Sequence, residues 1–222
     1  MSVCASPIKG EVIRLTLLNN CGDPVFGPGS AQVTTDAWTE VTATPNYEEG
    51  TRFLSRKANG QPCVNEQDAA FLNWVELATT LCTLDVDLIA VATGEQPISD
   101  NTAGDFVGVT FGEGLLNARY SFELWQPVSG DGECDEDGNQ QWVYWAWPHV
   151  FNAQIQELTY TNDVFNFTFN SMTKKASPRW DIGDPWLADT PVSLWDPARH
   201  FAFAITSVQP PESACGAVEI ES

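Results

Sequence analysis

Short runs of alternating apolar and polar residues, broken by Gly- and Pro-rich segments, recur along most of this chain. A strict alternation buries one face only as a β-strand, because successive side chains point to opposite sides. EVIRLTLLNN (11–20) sets Val12, Arg14 and Thr16 against Ile13, Leu15 and Leu17, and CGDPVFGPGS (21–30) then carries three Gly and two Pro as a turn-rich connection. WTEVTATPNY (38–47) predicts a strand ending near Pro45, and TRFLSRK (51–57) another after the turn YEEG. KANGQPCVNE (57–66) reads as a loop, since Asn59-Gly60 is a turn pair and Pro62 has no N–H for a ladder. DAAFLNW (68–74) fits one or two helical turns, and VELATTLCTL (75–84) is a strand.

Asp85 then stands where a helix N-cap belongs, VDLIAVA is apolar on most sides, and Gly94 sits at the C-cap position. This short segment is the main helix expected. After a polar linker, EQPISDNTAG, strands are predicted at DFVGVTF (105–111), ARYSFELWQPV (118–128), QQWVYWAW (140–147), AQIQELTYT (153–161) and VFNFTFNSM (164–172). WDIGDPWLADTPVSLWDP (180–197) reads as a Pro- and Trp-rich arm or loop, RHFAFAITSV (199–208) closes the sheet, and 209–222 is an irregular tail. About ten strands at this spacing predict a single mainly β domain over 1–222, a sandwich or barrel with one short helix.

Charge narrows the function. Thirty acids against ten bases give a formal charge of −20. That opposes binding to nucleic acid, which needs Lys and Arg to displace counterions, and docking on an anionic membrane. MSVCASPIKGEVIRL lacks a basic start followed by an apolar stretch, so the expectation is a chain made in the cytoplasm. Six cysteines without a C-x-x-C pair then predict reduced, mostly buried thiols.

The segment DGECDEDGNQQWVYWAW (131–147) raises two functional readings. Glu133, Asp135, Asp137 and Gly138 fill positions one, three, five and six of a calcium loop, but position one is not Asp and position twelve is Tyr144, which cannot chelate bidentately. The preferred reading is a solvated hairpin tip over 131–139, with Asp137-Gly138-Asn139 suited to a tight turn. Trp142 and Tyr144 share one face of the following strand; Val143, Trp145 and Trp147 share the other. A carbohydrate platform would use such aromatics, but their presence on both faces favours burial in the core or against another subunit.

Catalytic patterns are missing. His149 and His200 lie near no nucleophile motif, no metal-ligand spacing is present, and GVTFGEG (108–114) lacks the Lys and helix of a phosphate loop. The expectation is a non-enzyme without cofactor or metal. Two basic islands, Arg52-Arg56-Lys57 and Lys174-Lys175-Arg179, suit either contacts between identical acidic copies or a solvated face.

Ordered segments spanning nearly the whole chain carry a resemblance: PIKGEVIRLTLLNNCGDPVFGP, PNYEEGTRFLSRKANGQPCV, LCTLDVDLIAVATG, YSFELW, WPHVFNAQI, FTFNSMTKKASPRW and HFAFAITSVQPPESACG. In order and number they resemble the major tail (tail tube) proteins of long-tailed, non-contractile phages infecting actinobacteria. The resemblance implies a structural virion protein of the phage tail, made in the host bacterial cytoplasm. Its fold would be a tail-tube-type β-sandwich with a flanking helix and extended loops. Hexameric rings would stack into a tube whose acidic lumen passes double-stranded DNA without binding it specifically. Implied partners are copies of itself, a tape-measure protein, a tail terminator and baseplate or distal tail proteins. The expected subunit or inter-ring interface takes Glu48, Glu49, Arg52, Arg56, Lys57, Lys174, Lys175 and Trp180. Trp142, Tyr144, Trp145 and Trp147 form the expected core or intersubunit strand. The alternatives are a β-sandwich carbohydrate-binding module using Trp142, Trp145 or Trp147, a glycoside hydrolase, and a phage decoration or head–tail joining protein.

Overall fold

The computed structural model describes residues 6–100, 106–114, 117–130, 132–159, 166–177 and 199–220. Trp180, Arg179, Cys4 and the 180–197 arm lie outside them. The protein is mainly β: a large antiparallel sheet, two small sheets and one short helix. Strands are β1 (Val12–Leu17), β2 (Gln32–Thr35), β3 (Trp38–Glu48), β4 (Arg52–Arg56), β5 (Pro62–Gln67) and β6 (Phe71–Leu81). Helix α1 (Val86–Thr93) follows, then β7 (Gln96–Ser99), β8 (Phe106–Thr110), β9 (Arg119–Pro127), β10 (Trp142–Thr159), β11 (Asn166–Thr173) and β12 (Ala202–Thr206). The large sheet has eight strands in the order β2-β1-β9-β10-β11-β6-β3, with β12 also paired to β10; β4-β5 and β7-β8 form two-stranded sheets.

The alternation of β1 places Ile13 and Leu15 in the principal core with Val33, Leu77, Leu81, Phe122, Trp147, Phe167 and Phe169, beneath Leu88, Ile89, Val91 and Ala92 of α1. The opposite face carries a smaller cluster of Leu18, Trp125, Trp142, Tyr144 and Ala146. The helix is capped as its sequence predicts. Asp85 accepts hydrogen bonds from the Asp87 and Leu88 amides, and Gly94 closes it in the left-handed region at φ 72°.

Four local expectations are corrected. DAAFLNW forms no helix; β6 begins at Phe71 and runs unbroken through 74, because pairing with β3 supplies what local propensity leaves open. KANGQPCVNE is a loop only at its start: Pro62 opens β5, a terminal position where a missing N–H costs little. β3 continues past Pro45 to Glu48, tolerable because β3 is an edge strand. EQPISDNTAG contributes β7, paired with β8.

The two strands expected at 140–147 and 153–161 are one 18-residue strand, β10. Pro148 does not end it because the register with β9 shifts between Trp147 and Val150, and a bulge accommodates a residue that cannot donate. A second shift, against β11, lies between Phe151 and Gln154 and holds Asn152 at φ 58°. On one side β10 keeps β9. On the other it pairs first with β12, through Trp142–Ala146, and then with β11, from Val150 onward. A gap therefore opens beside His149, where β11 ends and β12 begins.

Candidate assembly surfaces

β3 and β6 form a ribbon whose far end extends into the β4–β5 hairpin. Glu48 pairs with Phe71, Asp68 N–H donates to Thr51 O at 3.0 Å, and among the described residues β4 and β5 pair only with each other. Gly50 is required at this base, since a Cβ there would stand 2.2 Å from the Asp68 carbonyl oxygen. Every residue of β4 and β5 is exposed. The uncovered apolar side chains include Phe53 (51% exposed), Leu54 (45%) and Val64 (44%), with Tyr47 and Phe71 just behind them.

The expected basic residues ride on this hairpin. Arg52 donates to Asn65 Oδ1 at 3.1 Å, Arg56 donates to Gly60 O at 3.0 Å, and Lys57 begins the turn closed by Gly60 at φ 83°. Glu48 accepts from Asn73 Nδ2 at 2.9 Å; Glu48 and Glu49 are exposed. Glu48, Glu49, Arg52, Arg56 and Lys57 thus occupy one projecting region. Lys174 and Lys175 lie elsewhere, at the gap beside His149.

At that gap, Lys174 N–H donates to His149 O at 2.8 Å and Ala176 N–H to Arg199 O at 3.0 Å. His149 Nδ1 lies 3.3 Å from Lys175 O, and His200 Nδ1 lies 2.9 Å from Thr173 Oγ1, which also accepts from Val75 N–H at 2.9 Å. Gly22, at φ 87°, packs on the His149 ring so closely that a Cβ would meet Nδ1 at 2.7 Å. Both histidines are buried, and burial holds both below the usual imidazole pKa, aided at His200 by the charge of Lys175. Two adjoining cavities of 610 and 500 Å³ share Asn73, Lys175 and His200.

The aromatic strand is covered by its own chain. Trp142, Tyr144 and Trp147 are buried, whereas Trp145 is half-buried, tilted against Phe203 at 4.9 Å, with its Nε1 donating to Gln126 Oε1 at 2.8 Å. A sugar platform on Trp142 or Trp147 finds no exposed ring. Beneath Tyr144 lies a buried polar set that the sequence reading did not single out: Arg14, Glu123 and the Tyr144 hydroxyl.

The acidic segment turns tightly on Asp135, whose Oδ1 accepts from the Asp137 and Asn139 amides at 3.0 and 2.8 Å, with Gly138 at φ 84°. Hydrogen bonds from the Asn139 side chain and backbone hold the Asp135 carboxyl below its usual range. Among the described residues no group of three or more His, Cys, Asp or Glu is placed to hold a metal ion. The expectation of mostly buried thiols is overturned: Cys21, Cys63, Cys134 and Cys215 are exposed and Cys82 half-buried, all free. These cysteines fall on turns, hairpins and the tail, where no core is available to cover them.

No protein-family model matches the chain, and no curated protein matches it at a significant level.

Proposed function

We propose that this chain is a structural, non-enzymatic virion protein: the tail tube subunit of a long-tailed, non-contractile phage. In this reading the fold is a tail-tube-type β-sandwich whose hexameric rings stack into a conduit for DNA. The observation that carries the reading is the Arg52–Gln67 hairpin, exposed along both strands, carrying uncovered Phe53, Leu54 and Val64 and a cluster of three bases on a chain of net charge −20. Fully burying each such apolar side chain contributes roughly 1.5–3 kcal/mol. An arm of this kind has a use when a neighbouring copy covers it, with Arg52, Arg56 and Lys57 meeting that copy's acids.

The sheet edges support the same reading. Backbone bonds from the tail close part of the β2 edge: Gln32 and Val218 exchange two, and Ala214 N–H donates to Thr34 O. Among the described residues the 11-residue β3 edge pairs only with β6. A long open edge invites another strand, and closing it between copies removes the liability. The net charge would let DNA slide through a lumen without being held. Tape-measure, terminator and distal tail proteins are the further partners of this reading.

Negative-stain microscopy of concentrated protein, at salt high enough to screen the charge, tests it. Hollow rings or tubes of constant width are expected. A protein that stays monomeric at every concentration and salt, and also when offered preformed tail ends as initiator, overturns it.

A further inference from the structure

We propose that the cavities beside His149 and His200 form a carboxylate-binding site filled by the acidic hairpin tip, Glu133–Asp137, of a second copy of this chain. The proposal deepens the self-assembly reading and rests on it for the identity of the occupant.

The first argument is charge. In a chain with a threefold excess of acids, Lys174, Lys175 and Arg199 converge on one cavity system together with both histidines of the sequence. Neither lysine forms an ion pair with a described carboxylate; Lys174 Nζ lies over the Phe151 ring at 4.2 Å. Two lysine charges with no described carboxylate as partner raise the local concentration of anions.

The second argument is unmet hydrogen bonding. Nε2 of His149 and Nε2 of His200 are both buried without a partner among the described residues. Val75 N–H takes one lone pair of Thr173 Oγ1, and the hydroxyl proton has His200 Nδ1 within reach as an acceptor. In that arrangement the proton of neutral His200 is on Nε2, a buried N–H donor that takes an acceptor oxygen. A carboxylate supplies that acceptor and the counter-charge for the lysines at once.

The third argument is the occupant. The tip presents four carboxylates, Glu133, Asp135, Glu136 and Asp137, on a turn already fixed by Asp135. It precedes Trp142, the first residue of β10, and His149 lies seven residues along that strand, about 20 Å at the usual strand rise. Because β9 and β10 both run to the tip end, the tip points away from its own cavity and reaches only another molecule's. A contact between two different surfaces of identical chains is heterologous, and it propagates into a closed ring or an open stack.

The test uses a fluorescent peptide of residues 130–141 with Cys134→Ser, titrated onto the full chain at low salt and followed by anisotropy. Saturable binding is expected. It should weaken roughly tenfold or more in K174E/K175E, and in the milder K174Q/K175Q should the first fail to fold. A scrambled peptide of the same composition should bind clearly less well. No binding, equal binding of the scrambled peptide, or unchanged binding to both lysine variants overturns the assignment. In assembly, K174E/K175E and E136K/D137K chains should each fail alone and assemble when mixed. Wild-type tubes that tolerate both reversals refute this contact and leave the tube reading standing. A wild type that never assembles refutes the tube reading, and the peptide titration still decides the site.

Discussion

Arg14 and Glu123 stand directly opposite one another on β1 and β9, both buried, joined by two parallel hydrogen bonds of 2.7 Å. The Tyr144 hydroxyl donates to the same carboxylate from β10, and the guanidinium lies 5.0 Å from the Trp125 ring centre. Burial is the largest single influence and would lower the Arg14 pKa, but the charge and hydrogen bonds of Glu123, joined by those of Tyr144, together outweigh it and the guanidinium ends above its usual value. Burial first, and the charge of Glu123 second, push the Tyr144 phenol up, so it remains a proton donor.

Removing one partner leaves the other charge buried and alone. Arg14→Met or Glu123→Leu should each destabilise the fold by about 3–5 kcal/mol, whereas the double variant with Tyr144→Phe should recover most of that loss. Urea unfolding of the three proteins checks this. Additive losses would mean the set does not act as a unit.

The helix caps give a second expectation. Asp85→Ala removes the acceptor for two amides and should cost about 1 kcal/mol. Gly94→Ala should cost at least as much, because φ is 72° and the new Cβ would stand 2.8 Å from Ala118 Cβ. Thermal melts of the two variants measure both.

Stability should fall on mild acidification. The pKa of both His149 and His200 is depressed by folding, so their contribution is fully present above the unfolded-state value of about 6.5. As pH drops through that value the unfolded chain takes up protons that the folded chain refuses. Stability then declines until the folded groups titrate as well. Melting temperature followed from about pH 8 to about pH 5.5 should show this decline, and H149Q/H200Q should flatten it.

The β4–β5 hairpin should matter to assembly and not to the folded monomer. R52E/R56E/K57E, or Phe53→Ser with Leu54→Ser, should abolish assembly in sedimentation while shifting monomer stability by less than about 0.5 kcal/mol. The same three bases exposed to solvent in an assembled tube would contradict their assignment to a contact.

Calcium should do nothing. Asp135 Oδ1 is engaged by its own turn, so millimolar calcium should leave the melting temperature of the wild type and of D135N/D137N unchanged relative to a chelator control. A large calcium-dependent rise in the wild type alone would refute the solvated-tip reading.

Strand content was legible because alternation is a local property, and the helix was legible because Asp85 and Gly94 mark its ends. What local pattern misled was proline. Pro45 and Pro62 read as strand breakers and the expected 140–147 strand stops short of Pro148, yet one lies on an edge, one opens a strand and one sits in a bulge, and only the tertiary register shows which. Segment 68–74 misled for a related reason, since its helical pattern is weaker than the pairing of Phe71, Leu72 and Trp74 with β3. Arg14 and Glu123 each interrupt an apolar run, a visible sign of a buried polar partner, but nothing in the sequence pairs two residues 109 positions apart. The gap at His149 was invisible because β11 and β12 meet there only through the bend of β10.

β10 also has a mechanical meaning. It spans 18 residues, about 60 Å if fully extended, and is bonded on one side to β9 and on the other to β12 and then β11. Antiparallel hydrogen bonds lie across the strand, so a pull along its axis loads many of them together in shear rather than one after another. Tension entering near Trp142 is shared between β9 and β12 before the bulge at Pro148, between β9 and β11 as far as Phe151, and passes to β11 from Gln154 onward. One strand thus acts as a spar, carrying load from one end of the sheet to the other without passing through a loop.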